Sequence, residues 1–155
     1  MQLDIFGDSR TVMLRNDVLD ARHRRDAVSA LQAWQRLAGE LPDDDTVAGL
    51  ATLIDVLDSD VTTPFADRPA LAAACCRRND QVEPAARRLL GDARGQAWVA
   101  SCWRTVAQQA AALPFRAEVS DLHAAPLWLR AGDWGEARRA VERIELWRRI
   151  PAPLM

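Results

Sequence analysis

The chain has 155 residues, of which 49% are hydrophobic and 27% charged, and its formal net charge is −2 at pH 7. That length suffices for one domain with its own core, and the balance excludes wholesale disorder. The near-neutral total excludes a general attraction for nucleic acid or an anionic membrane, and all 20 cations are arginines.

Residues 1–8 read as an extended N-terminal peptide that breaks at Gly7, with residues 9–150 as a single helical domain and 151–155 as a short tail. The first predicted helix spans Ser9 to His23, with Leu14, Val18 and Ala21 on one face. Asp26 caps the second, in which Ala27, Ala30, Leu31, Trp34, Leu37, Ala38 and Leu41 form a stripe at spacings of three and four. Pro42 stops it. Asp43, Asp44 and Asp45 load negative charge onto a third helix, Thr46 to Leu57, with Val47, Leu50, Ala51, Ile54 and Leu57 inward.

After the loop through Pro64, Asp67 caps a fourth helix, Arg68 to Arg78, and Pro69 lies in its first turn, where a missing N–H is harmless. Asp80 and Glu83 have the spacing of a capping box opening a short fifth helix that ends at Gly91. A sixth, Ala93 to Ala112, carries Trp98, Cys102, Val106 and Leu113 on one side, and Pro114 ends it. From Ser120 a terminal hairpin follows, with Gly132 and Asp133 at its corner and Glu136 completing a second capping box. No stretch alternates with period two between turn residues. The fold class is therefore all-α, about seven helices packed as antiparallel α-hairpins.

Trp128, the Gly132-Asp133-Trp134 turn, Ala137, Val141 and Ile144 occupy the large and small packing positions of a helical hairpin. In these residues the C-terminal hairpin resembles a degenerate tetratricopeptide repeat. Aligning Asp26 with Asp133 also brings Ala30 onto Ala137, Ala33 onto Ala140 and Leu37 onto Ile144, a weaker echo near the N-terminus. The resemblance implies an irregular stack of hairpins that acts by binding; an ordinary helical bundle is the alternative.

At the N-terminus, Gln2-Leu3-Asp4-Ile5-Phe6 resembles the peptide by which bacterial replication and repair proteins dock on the DNA polymerase sliding clamp. It departs from that pattern in having Ile5 where Leu is usual. The resemblance implies that Gln2 hydrogen-bonds in a surface cleft while Leu3, Ile5 and Phe6 supply buried area. The alternative is a plug, with the three apolar side chains folded back onto the helices.

Other chemistry finds little footing. His23, among arginines at a helix end, reads as a solvent-facing cation, and His123 as a partly buried polar contact. Cys75, Cys76 and Cys102 read as small core residues in a reducing cytoplasm. There is no C-x-x-C, H-x-x-x-H or glycine-rich phosphate loop, so no metal or cofactor is expected. The N-terminus lacks the pattern of a secretory signal, and the longest uncharged apolar run, Ala70 to Cys76, is too short to span a bilayer. The arginine doublets at 24/25, 77/78, 87/88, 138/139 and 148/149 read as solvated faces, with a nucleic-acid-binding stripe as the competing reading. Of the tryptophans, Trp34, Trp98, Trp128, Trp134 and Trp147 fall on predicted interior stripes; Trp103 lies beside its stripe, with a partner-anchoring place at a groove rim as the minority reading. The expectation is a non-enzymatic, cytoplasmic interaction adaptor with protein partners, residues 2–6 docking it to the clamp. A structural scaffold with a buried N-terminus is the other protein-binding reading. Nothing in the pattern specifies an oligomeric state.

Overall fold

The computed structural model describes residues 5–24, 26–42, 44–59 and 63–145, with side chains at all of these except 5–9, 22, 58 and 59. The α-helices are α1 (Ile5–His23), α2 (Ala27–Glu40), α3 (Asp45–Ser59), α4 (Arg68–Arg77), α5 (Glu83–Leu90), α6 (Asp92–Ala110), α7 (Ala124–Arg130) and α8 (Trp134–Glu142). A π-helical segment, Arg78–Val82, precedes α5, and a 3-10 segment, Ala117–Leu122, precedes α7. Among the described residues there is no strand, so the fold is all-α. The chain divides into two compact units, Met1–Val61 with Gln81–Gly95, and Thr62–Asp80 with Gln96–Met155.

In the first unit, α1 begins at Ile5 rather than at the predicted Ser9. Only Gly7 opposes helix there, and one glycine costs about 1 kcal/mol, little against a helix of 19 residues. Asp26 caps α2 as predicted, its carboxylate accepting from the Ser29 amide at 3.0 Å and the Ser29 hydroxyl at 2.6 Å. The core joins Val18 and Ala21 of α1 to Ala30, Ala33 and Leu37 of α2 and to Val47, Leu50 and Ile54 of α3. Alanines at 21, 30 and 33 let α1 and α2 approach closely, while the larger side chains fill the groove beyond. Full burial of each leucine here is worth about 1.5–3 kcal/mol. Trp34 is half-buried and donates its indole N–H to the Val47 carbonyl at 2.8 Å, which ties α2 to the first turn of α3. Leu31, placed on the α2 stripe by its spacing, is instead exposed. Leu53 and Val56 join the buried face of α3, which is wider than the predicted stripe.

The capping box expected at Asp80 and Glu83 does not form. Val82, at the N-cap of α5, keeps helical backbone (φ −74, ψ −48) and makes no side-chain cap bond. Because the chain is already helical through Arg78–Val82, the first turn of α5 follows helix rather than coil, and Asp80 meets no free helix end. Glu83 pairs instead with Arg87 one turn on, at 2.8 Å. Gly91 (φ 76) closes α5, and α6 then starts so close to it that Gly95 lies against the Ala86–Arg87 backbone.

In the second unit, Asp67 caps α4 by accepting from the Ala70 amide at 2.8 Å, with Pro69 in the first turn as predicted. Arg68 donates to the Pro114 carbonyl, and the Phe65 amide to the Gln109 carbonyl at 3.1 Å, so α4 and the segment before it are fastened to the end of α6. The terminal hairpin turns at Gly132 and Asp133, as expected. Gly132 adopts φ 73, and the amides of Gly132 and Asp133 donate to the carbonyls of Leu129 and Trp128 at 2.9 Å each, closing α7 as a Schellman turn. Asp133 caps α8, accepting from the Glu136 amide at 3.1 Å. Its own N–H is already committed to Trp128, so Glu136 does not complete the box and pairs with Arg139 instead. Ala137 and Ala140 of α8 are buried, as are Ala124, Ala125, Leu127 and Trp128 of α7, and the two helices pack together.

Trp134, expected inside, lies outside, and Trp103, beside its expected stripe, is part of the core and not a groove rim. Trp103 is only 3% exposed and Trp134 is 75% exposed. The buried face of α6 runs through Val99, Cys102, Trp103, Val106, Ala107 and Ala110. Cys102 and Val106 of the expected stripe lie on that face, which extends to the neighbouring Val99 and Trp103, while Trp98 is only half-buried.

Candidate functional site

Of the residues predicted to contact a partner, Gln2, Leu3 and Asp4 lie outside the described residues. Ile5 and Phe6 are the first residues of α1. The described side chains that come together to form a site lie in the second unit, around His123.

The segment 111–115 leaves α6, turns over Ala111–Leu113 and presents Phe115 edge-on to the His123 ring, with centroids 5.5 Å apart and planes at 89°. His123 is also the N-cap of α7, its Nδ1 accepting from the Ala125 amide at 3.3 Å. Pro126 follows inside the first turn of α7, where it breaks no helical bond. The hairpin expected from Ser120 has its first α-helix at Ala124, and spacing alone did not reveal that the histidine would be the cap. Trp128 and Ala124 of α7, Ala140 of α8, and Arg143, Ile144 and Glu145 beyond it complete a cleft of about 400 Å³. Its floor is apolar and its rim carries His123, Arg143 and Glu145. Burial first, and the nearby Arg68 guanidinium second, hold His123 below the ordinary imidazole value, so at neutral pH the ring is uncharged and its Nδ1 is an acceptor.

A second cluster lies on Trp103. The Arg130 guanidinium stacks over the indole at 4.6 Å from the ring centroid and donates to the Asn79 side-chain carbonyl at 2.9 Å. Burial pushes the nearby Cys75 thiol up, with Arg130 and Arg78 pulling weakly the other way, so Cys75 is protonated and a poor nucleophile. Cys75 and Cys102 are buried, but Cys76 is exposed, against the reading of all three as core residues. Among the described residues no group of three or more His, Cys, Asp or Glu is placed to hold a metal ion, and no helix is long and apolar enough to cross a membrane.

No family model, curated protein or solved structure matches the chain.

The described arginine doublets divide. Arg78 is buried, unlike the solvated doublet expected at 77/78. Arg87 and Arg138 pair with Glu83 and Glu142 at 2.8 Å each, Arg139 pairs with Glu136, and Arg88 donates to the Asp45 carbonyl at 3.3 Å. Their charge is thus engaged locally.

Proposed function

We propose that the protein is a non-enzymatic interaction adaptor, docked on the bacterial sliding clamp through Gln2, Leu3, Asp4, Ile5 and Phe6, with its helical body carrying a second protein partner. The pentapeptide carries this reading, since one polar hook and three apolar anchors in five residues suit capture in a surface cleft. Docking in extended form requires the first turn of α1 to unwind at Ile5 and Phe6. Gly7 in that turn lowers the cost, because glycine is the poorest non-proline helix former. Burying two aliphatic side chains and one aromatic, less the ordering cost, suits an affinity of roughly micromolar order. The exposed Trp134 and Leu129, flanking the α7–α8 corner, support the second half of the reading as apolar surface that a partner would cover.

The test is calorimetric titration of the full chain into purified clamp, repeated with Leu3→Ala/Phe6→Ala. Saturable binding abolished by the double substitution supports the proposal. No binding, or binding indifferent to the substitutions, refutes it.

A further inference from the structure

We propose that His123 is a protonation-sensitive cap, holding α7 and with it one wall of the cleft in place only while its ring is uncharged. The reason is the direction of its hydrogen bond. Nδ1 accepts from the Ala125 amide, and an acceptor nitrogen needs its lone pair; an imidazolium carries N–H at both positions and would turn donor against donor. The added charge would also sit at the positive end of the α7 dipole. The half-buried ring is seated edge-on against Phe115, so turning away from the cap would give up that contact.

The charged groups around it do not rescue the cation. Arg68 reaches from α4 to the Pro114 carbonyl, next to Phe115, and disfavours a second positive charge. Arg116 and Glu118 line a recess together with Phe115 and Arg68. Asp121 precedes the ring on the 3-10 segment, and Arg143 and Glu145 share the cleft with it. Acids and cations are balanced in this set, so no net negative field favours protonation.

The sign follows from linkage. The native ring binds its proton less readily than the unfolded chain, so the cap is fully present above the ordinary value of 6.5. It is lost as pH falls through the lower native value. His123→Asn keeps a side-chain acceptor at the N-cap and cannot titrate, whereas His123→Ala has no acceptor at any pH.

Hydrogen-exchange protection of the Ala125 and Leu127 amides is measured from about pH 7.5 down to a pH below the native imidazole midpoint found by NMR, in a His23→Gln background so that a single imidazole titrates. Protection in the parent should fall about fivefold on acidification, the equivalent of a lost cap, stay level in the Asn variant and be low throughout in the Ala variant. The imidazole midpoint by NMR should lie below that of the same chain unfolded in urea. Equal acid response in the parent and the Asn variant, full protection in the Ala variant, or a midpoint at or above the unfolded one would overturn the proposal.

Discussion

Glycine-to-alanine substitution at two helical positions of the first unit should have opposite effects, and the contrast isolates one contact. At Gly39 in α2 an added Cβ meets nothing within 4 Å. Alanine there should stabilise by about 0.5–1 kcal/mol, the ordinary gain in helix propensity. At Gly95 in α6 the same Cβ would lie 2.8 Å from the Ala86 carbonyl oxygen, 3.0 Å from its carbon and 3.1 Å from the Arg87 Cα. These are backbone atoms, which cannot rotate aside as a side chain can. The propensity gain is common to both sites, so the difference between the variants measures the forced separation of α5 from the start of α6, about 1–3 kcal/mol. Gly95→Ala should therefore be neutral to destabilising. Urea unfolding followed by circular dichroism at both variants gives the two free energies. If Gly95→Ala proves as stabilising as Gly39→Ala, the close approach at the α5–α6 corner is wrong.

The remaining expectations concern caps, tryptophans and acid. Asp133→Ala should cost about 1 kcal/mol in thermal unfolding, because it removes the α8 cap; Glu136→Ala should change little, since Glu136 serves only an exposed pair with Arg139. Trp103→Ala should destabilise by about 3–5 kcal/mol, a buried indole being deleted, and Trp134→Ala by no more than about 0.5 kcal/mol. An order reversed between the two in denaturant melts would contradict their burial. The Ser29 hydroxyl, then its amide, hold the Asp26 carboxyl below the ordinary carboxylate value of 3.8. Its contribution is present above that value and lost as pH falls through the lower native one, so Asp26→Asn should flatten the acid limb of the stability profile.

Helix existence was legible wherever the chain carries its own punctuation: Asp26, Asp67, the Gly132-Asp133 corner and the prolines all do locally what they do in the fold. Asp80 and Glu83 misled because a capping box presupposes a helix that begins there, and local residues do not reveal whether the preceding helix has ended. Trp134 shows a different limit. It shares the phase of Ala137 and Ala140, but it is the first residue of α8. Helical side chains lean toward the N-terminus, so a side chain at that first position reaches beyond the helix it belongs to, and the indole is exposed. Periodicity gives direction around an axis, not how far along that axis a neighbour extends. The His123 cleft was illegible for a related reason: its lining is spread over residues 111–145 at the ends of three helices, and no one helical stripe marks it.

The corner between α7 and α8 has a further consequence, for proteolysis. Arg130 is exposed one residue before the turn, and its peptide bond to Ala131 looks like an open tryptic site. A protease must draw such a segment out straight, yet the amides of Ala131, Gly132 and Asp133 are all bonded back into α7, and Asp133 is bonded forward into α8. Cleavage there has to wait for the hairpin to open, so a nick after Arg130 reports the breathing of the two helices together and not the looseness of a loop.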